Sequence, residues 1–300
     1  MSGARPFRFG VMTSGRPDGA EWVALARKVE DLGFATLVMP DHPAMAALAP
    51  WPALAVAAAV TTSLHVGTMV SAIDFYGPVV LAREASTLHT LSGGRVELGV
   101  GAGWLAADYE LLGSSMDGAG ARLERLDAGV ARMRRYWDDP PASAELPAPA
   151  GRPRLLLGGG GRRMLTLAAR HADVVGLAAD MRTGALGPES AASSTEESTR
   201  RKVAWVREAA GERFDALELH VLVNFVRVTG HAGEVAAKVA RVYGVDDAAA
   251  ARIPHVLIGG HRDMADELLR RRDDLGISYI TVPAAAVDDM APVVAELAGR

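Results

Sequence analysis

The sequence has no cysteine, and this absence excludes several chemistries at once. Without a thiol among its 300 residues, the protein can form no disulfide, thiolate metal site or cysteine nucleophile. Other motifs are missing too: there is no Gly-x-Ser-x-Gly elbow of a serine hydrolase and no His-x-His or His-Glu-x-x-His spacing for a metal. We therefore expect no metal site and no thiol or serine-hydrolase chemistry.

Long basic clusters and long apolar runs are also absent. The formal net charge is −4 and no basic block is longer than short groups such as Arg270-Arg271-Arg272, so nucleic acid is not an expected partner. The most apolar stretch, Met45 to Val60, contains two prolines and is shorter than the roughly 20 apolar residues of a membrane span. We predict a loop and then a buried helix there. The amino terminus lacks the apolar core of a signal peptide, so we expect a cytoplasmic protein that acts on a small molecule.

Short apolar runs alternate with longer helical patterns along the whole chain. This alternation is typical of β-α-β units and a parallel sheet. Eight strands in a chain of this length favour a closed (β/α)8 barrel over an open doubly wound sheet. We therefore predict an α/β fold with a single barrel domain over residues 1–300. The predicted strands are Phe7 to Met12, Thr36 to Met39, His65 to Val70, Val96 to Val100, Arg154 to Leu157, Asp173 to Leu177, Leu217 to Val228 and Tyr279 to Val282.

Helix signals fill the gaps between these strands. Asp18 is placed as an N-cap with Glu21 three residues later, and the helix that they begin ends before Gly33. Pro78 opens another helix, and the last clear helical pattern ends at Gly276. These signals agree with the β-α alternation.

Two stretches interrupt this rhythm. Residues 138–153 are rich in proline, and residues 178–200 are rich in Ala, Ser, Thr and Gly. In a barrel the second stretch would follow strand six on the active-site face, so we predict a mobile loop at 178–200 and hypothesise that it is a lid. An ordinary surface loop is the alternative.

The residues directly after each strand are the first candidates for a site, because barrel active sites form at the carboxyl ends of the strands. Asp41 and His42 follow the second strand between Pro40 and Pro43, which places a carboxylate and an imidazole at the barrel mouth. His42 is the candidate proton donor or base. A structural role for this pair is the alternative.

A glycine-rich loop follows the fifth strand and opens a helix. Its glycines let backbone amides approach a ligand, the helix amino terminus favours an anion, and two arginines add positive charge. We interpret it as a phosphate site, with a flexible turn as the alternative, although the spacing is neither Walker A nor Gly-x-Gly-x-x-Gly. The residues concerned are Gly158, Gly159, Gly160, Gly161, Arg162 and Arg163.

The ends of the third and fourth strands carry weaker signals. Gly99-Val100-Gly101-Ala102-Gly103-Trp104 alternates small residues and leaves room for a planar ring, although such glycines also fit simple turns. Nothing local marks Thr68-Met69-Val70-Ser71 as catalytic. Each position alone is ambiguous, and their order along the chain carries more information.

Taken in this order, the positions resemble the luciferase-like monooxygenase family, including its branch of oxidoreductases that use the deazaflavin coenzyme F420. The resemblance covers nearly the whole chain and is most specific from Ser92 to Trp104. It implies a luciferase-like TIM barrel, a homodimer, and hydride transfer between F420 and an organic substrate. FMN is the alternative cofactor.

The resemblance also implies roles for individual residues. Asp41 and His42 would lie near the redox ring, with Met69 and Val70 as a bulge behind it that contains a non-proline cis peptide. Ala102 and Gly103 would lie beside the tail of the cofactor, and Gly158 to Arg163 would surround its phosphate.

Two departures separate this chain from the sugar-phosphate dehydrogenase of the same family. Trp104 stands where that enzyme has a carboxylate, and Ala46 stands where it has a tryptophan, so its general acid cannot be carried over. An apolar or planar substrate is expected instead. Two rivals stay open: a barrel that binds a flavin or deazaflavin without catalysis, and a phosphate-binding lyase or isomerase without a redox ring.

Overall fold

Parallel strands that alternate with helices form the framework of the protein. The computed structural model describes residues 5–15, 18–139, 151–181 and 188–300. Eight strands close into a barrel, so the predicted (β/α)8 fold is confirmed. The strands in the described ranges are β1 (Arg8–Met12), β2 (Thr36–Met39), β3 (His65–Ala72), β4 (Val96–Gly101), β5 (Arg154–Gly159), β6 (Val174–Leu177), β7 (Glu218–Leu222), β8 (Phe225–Val228), β9 (Val256–Gly259) and β10 (Ile277–Pro283). The barrel order is β1-β10-β7-β6-β5-β4-β3-β2.

Helices connect these strands and cover them. Among the described residues, no helix is long and apolar enough to cross a membrane. The helices are α1 (Gly19–Asp31), α2 (Pro50–Ala59), α3 (Pro78–Leu91), α4 (Ala106–Leu111), α5 (Ala119–Asp138), α6 (Arg162–His171), α7 (Pro188–Ala192), α8 (Glu196–Ala210), α9 (Ala232–Tyr243), α10 (Asp247–Ala251), α11 (His261–Leu275) and α12 (Val287–Leu297).

The helix boundaries follow the signals in the sequence. Asp18 Oδ1 accepts hydrogen bonds from the backbone N–H groups of Ala20 at 2.7 Å and Glu21 at 3.1 Å, as an N-cap does. Gly33 after α1 and Gly276 after α11 have φ angles of +81° and +75°. Glycine adopts this left-handed conformation without steric cost, so it ends a helix cleanly.

The prediction of one strand from Leu217 to Val228 is wrong. Glu218–Leu222 lies in the barrel as β7, whereas Phe225–Val228 forms β8 and pairs in parallel with Val256–Gly259 in a separate two-stranded sheet. A run in which apolar and β-branched residues predominate on both sides of the break does not mark the residue at which a chain leaves one sheet for another.

The segment from 178 to 200 contains less loop than predicted. Helix α7 occupies 188–192, and α8 begins at Glu196, where the Thr195 side chain accepts a hydrogen bond from the Ser198 N–H at 3.3 Å. Residues 182–187 lie outside the described ranges, so mobility and a lid function stay predictions. Residues 140–150 of the proline-rich stretch also lie outside them.

The chain divides into two compact units, each with its own apolar core. The first comprises Thr13–Glu30 and Thr36–Leu157, and the second comprises Met1–Met12, Asp31–Ala35 and Gly158–Arg300. Fully buried side chains in the first unit include Leu54, Val66, Leu81, Leu98, Leu126 and Met133. Those in the second include Val174, Val206, Met264, Leu268, Ile277 and Val294.

A shared carboxylate ties three elements of the second unit together. Glu196 accepts hydrogen bonds from Arg200 at 2.8 Å, from Arg252 at 2.8 Å and from Arg270 at 2.9 Å. Burial alone would raise the pKa of Glu196, but the hydrogen bonds from Arg252 and Arg270 outweigh it and lower this pKa to about 2. The charged carboxylate therefore stabilises the fold.

Replacing Glu196 with glutamine is expected to lower the free energy of unfolding by about 1–2 kcal/mol at pH 7, because three guanidinium groups lose their common counter-charge. The folded pKa lies below the ordinary 4.5. The advantage of the wild type is therefore present above that value and is lost as the pH falls towards 2. Urea unfolding at pH 7 and pH 3 measures both effects, with Glu212→Gln, an exposed glutamate, as the control. An equal loss at both pH values would contradict this assignment.

Candidate active site

A histidine and an aspartate that are distant in sequence meet beyond the ends of β2 and β4. His42 Nδ1 lies 2.6 Å from Asp108 Oδ2, and the backbone N–H of Ala44 donates to Asp108 Oδ1 at 2.9 Å. The side chain of Asp108 is 2% exposed and that of His42 is 19% exposed. Because an ionised carboxylate only accepts hydrogen bonds, Nδ1 carries the proton and Nε2 is left to act on a ligand.

Asp41, the neighbour of His42, points to a different partner. It is buried, and its Oδ2 accepts a hydrogen bond from Tyr76 Oη at 2.7 Å. Burial, followed by the hydrogen bond to Asp41, raises the pKa of the Tyr76 phenol. Tyr76 therefore stays protonated and holds Asp41 in place. Asp41 and His42 are thus held by different partners, Asp41 by Tyr76 and His42 by Asp108.

The bulge predicted at Met69 and Val70 is present in β3. The peptide bond between them is cis, and the pairing of β3 with β4 shifts register between Thr68 and Ser71. The Val70 side chain fills the space beside two β4 glycines: a Cβ on Gly99 would lie 2.9 Å from Val70 Cγ1 and one on Gly101 would lie 2.6 Å from Val70 Cγ2. A Cβ on Gly99 would also strike the Thr68 carbonyl oxygen. The two glycines therefore allow β3 to pack closely against β4, and room for a ring beside them stays a prediction.

The loop after β4 is held by a tyrosine. Tyr109 Oη donates to Asp74 Oδ2 at 2.8 Å and to the Ala102 carbonyl at 3.3 Å. Gly103 has a φ angle of +73°, and a Cβ there would strike Tyr109 Oη. Burial and then the hydrogen bond to Asp74 raise the pKa of Tyr109 to about 12. Ala102 and Gly103 therefore sit in a rigid turn.

Asp74 is in turn fixed by a bidentate arginine. Arg125 Nε and Nη2 donate to its two carboxylate oxygens, each at 2.7 Å. Burial raises the pKa of Asp74, but the hydrogen bonds from Arg125 and Tyr109 outweigh it and bring the pKa below its usual value. Asp74 is thus an ionised anchor for the loop that carries Ala102 and Gly103.

Trp104 borders the histidine from the other side. Its ring lies edge-on to the His42 imidazole, with centroids 5.4 Å apart and planes at 79°. The His42 imidazole therefore has a carboxylate at Nδ1 and an aromatic ring as a further neighbour.

The glycine-rich loop in the second unit leads into the amino terminus of α6. Gly158 and Gly160 allow close backbone packing, because a Cβ on Gly158 would lie 2.6 Å from the Gly176 carbonyl oxygen and one on Gly160 would strike the backbone of Ala179. Gly161 is different: within the described ranges, no atom other than those of its chain neighbours lies within 4 Å of the position of its Cβ, and no side chain caps α6. A helix amino terminus without a side-chain cap suits an anion.

The two arginines of this loop lie on the surface. Arg162 donates to both carboxylate oxygens of Glu208 at 2.9 Å, and Arg163 is exposed. Exposed ion pairs contribute little to the stability of a fold, about 0–1 kcal/mol. Arg162 can therefore exchange Glu208 for a ligand at little cost. A phosphate role for both arginines stays a prediction.

A comparison with models of known protein families shows to which family the chain belongs. A model of the luciferase-like monooxygenases matches residues 3–241, most of the chain. The chain belongs to the luciferase-like monooxygenase family.

Individual relatives of this luciferase-like protein cover only part of it. An uncharacterized protein of Mycobacterium tuberculosis is 32% identical over 42% of the chain and 51% of its own length. An F420-dependent glucose-6-phosphate dehydrogenase of Microbacterium testaceum is 31% identical over 44% of the chain and 41% of its own length. The chain thus spans about half the length of the curated relatives that it matches.

Solved structures share the fold over nearly the full length. An F420-dependent secondary alcohol dehydrogenase with an F420-acetone adduct has a TM-score of 0.74 and 17% identity, covering 97% of this chain and 99% of that one. A riboflavin lyase with modified FMN and riboflavin has a TM-score of 0.73 and 16% identity, covering 97% and 91%. At these identities the similarity establishes the luciferase-like barrel alone.

Sequence reasoning missed two residues of this luciferase-like protein that the structure singles out. One is Asp108, the partner of His42, whose only signal was its position on a short helix after the fourth strand. The other is Lys202 in α8, which is 2% exposed and had no signal, since it lies in a charged helical stretch. Within the described residues, no group of three or more His, Cys, Asp or Glu could hold a metal ion.

Proposed function

We propose that this protein is an oxidoreductase that transfers a hydride between coenzyme F420 and an uncharged organic substrate. The observation that carries the proposal is the His42–Asp108 pair, a supported proton carrier at the strand ends where such barrels place their chemistry. When bound, the deazaflavin would accept or supply the hydride. The protein would handle the matching proton.

In this proposal His42 exchanges that proton at Nε2. Asp108 accepts the Nδ1–H, which selects the tautomer and fixes the ring plane. It also stabilises the imidazolium that forms when His42 takes up a proton. The substrate oxygen would lie within hydrogen-bond reach of Nε2, so that proton and hydride can move in one site.

The remaining site residues would position the ring and its phosphate. Asp41, Met69, Val70, Ala102 and Gly103 line the strand ends and are held by Tyr76, Tyr109 and the Met69–Val70 bulge. The phosphate would bind at the uncapped amino terminus of α6, where Gly161 leaves open space. Gly158, Gly159, Gly160, Arg162 and Arg163 complete the proposed phosphate site.

The residues around His42 favour an apolar or planar substrate over a sugar phosphate. Trp104 packs against the imidazole where the sugar-phosphate enzyme resembled in sequence has a carboxylate. In the same unit the guanidinium of Arg125 is already engaged by Asp74 and Asp117. Glucose 6-phosphate is therefore not the expected substrate. A homodimer and a cytoplasmic location stay predictions.

A fluorescence titration of the purified protein with F420 and FMN in parallel tests the cofactor. Saturable binding of F420 with little or no binding of FMN is the expected result. Binding of FMN alone would instead support an FMN-dependent luciferase-like monooxygenase. If F420 binds but is not reduced or oxidised by any donor or acceptor tried, the non-catalytic barrel is favoured. Binding of neither cofactor would contradict the proposal and favour a phosphate-binding lyase or isomerase.

A further inference from the structure

A cavity of about 340 Å³ opens beside the glycine-rich loop of the second unit. Its walls come from that loop, from the segment after β6 and from α8, and they combine charged groups with one aromatic ring. It contains none of the residues around His42. The lining residues used below are Gly160, Asp180, Ser193, Arg201, Lys202 and Trp205.

Lys202 is a buried cation without a direct anionic partner on its ammonium group. Its Nζ donates to the carbonyl oxygens of Ala178 at 2.7 Å and Ser193 at 2.5 Å, while the residue is 2% exposed. An ammonium has three N–H donors, so one donor is left for a ligand. Burial lowers the pKa of Lys202 to about 8, although the charge of Asp180 acts in the opposite direction. A bound anion would balance the positive charge of the Lys202 ammonium group.

Arg201 adds a second positive charge to the same cavity. Its side chain is exposed, and it forms no ion pair within the part of the chain that the structure describes. With Lys202 it outweighs the one carboxylate in the lining, that of Asp180. Trp205, one turn further along α8, offers an apolar wall for methylene groups. The cavity thus suits a flexible chain that carries carboxylates.

We propose that this cavity binds the acidic tail that extends from the phosphate of coenzyme F420, and that it thereby separates F420 from FMN. The inference rests on the proposed function. F420 continues beyond its phosphate as a lactyl group and glutamates, whereas FMN ends in a phosphate monoester. Gly160 belongs both to the proposed phosphate loop and to the cavity lining, so the cavity begins where the phosphate would end.

Binding titrations with three probes test the tail site without any measurement of turnover. The probes are F420 with its glutamate tail, the phospholactyl form that lacks the glutamates, and FMN. The wild type is expected to bind tailed F420 roughly tenfold more tightly than the form without glutamates, because charge-assisted hydrogen bonds are lost with the tail. The preference should weaken in 0.5 M salt, since Arg201 is exposed to screening.

Two variants locate the preference in the cavity. Arg201→Gln removes an exposed charge with little risk to folding, and Lys202→Gln keeps one donor for the Ala178 carbonyl. Each is expected to reduce the tenfold preference to about threefold or less, and to leave the affinity for the form without glutamates nearly unchanged. Arg207→Gln is the control, because Arg207 lies on the same helix but packs over Phe214 outside the cavity lining.

The outcomes separate this inference from the proposed function. Equal affinity for the two F420 forms in the wild type would overturn the tail site and leave the proposed F420 function standing. A preference that survives both Arg201→Gln and Lys202→Gln would place the tail elsewhere and also overturn it. If neither F420 form binds, the proposed function fails first and the tail site fails with it.

Discussion

Replacing His42 with alanine is expected to lower turnover by roughly 10²- to 10⁴-fold, the usual contribution of a positioned acid or base. The dissociation constant of the cofactor should change by less than about threefold, because the proposed phosphate contacts lie in the loop before α6 and are untouched. The reason for the large effect is that alanine removes the imidazole nitrogen, Nε2, that would exchange the proton. Steady-state kinetics and a cofactor titration measure the two quantities.

His231→Ala is a suitable control, because the His231 side chain is 79% exposed and its nearest acid, Glu234, is 3.8 Å away. That variant should match the wild type in turnover. A His42→Ala enzyme with unchanged turnover would assign His42 a structural role and remove it from the mechanism.

The barrel was predictable because its signal is repeated along the chain. Short apolar runs, helical patterns and helix caps such as Asp18 predicted seven of the strands within about two residues of their observed bounds. Every one of these signals supports the same fold. The exception, Leu217 to Val228, shows the limit of this reasoning. Apolar and β-branched residues predominate on both sides of the point where the chain leaves β7, so the sequence does not mark that point. The separate sheet forms because β8 pairs with a distant segment, Val256–Gly259.

The site was predictable only where a residue directly follows a strand. Asp41 and His42 were found because position after β2 is itself evidence in a barrel. Asp108 was not, because its importance depends on which loop packs against the loop after β2, and 66 residues separate it from His42. Lys202 shows the same limit, since α8 is rich in charged residues and only tertiary packing buries one of them.

Replacing Asp108 with asparagine is expected to lower turnover by about 10- to 100-fold, as loss of a carboxylate that orients a catalytic histidine commonly does. Asp108 now accepts from His42 Nδ1–H and from the Ala44 N–H. Asparagine has one carbonyl and one NH₂ group, so it can accept only one of these bonds with its natural geometry. The imidazole is then free to change its tautomer or its orientation, and Nε2 no longer presents a defined proton site.

A double-mutant cycle distinguishes this positioning role from a general loss of structure. Once His42 is alanine, Asp108 has no imidazole to orient, so Asp108→Asn should reduce the residual turnover by less than about threefold. Asp117→Asn is the matched control, because Asp117 is an exposed carboxylate whose ion-pair partner is not an imidazole but the guanidinium of Arg125, at 2.8 Å. If Asp108→Asn costs as much in the alanine background as in the wild type, Asp108 acts independently of His42, and thermal melting would then show whether it acts through the stability of the fold.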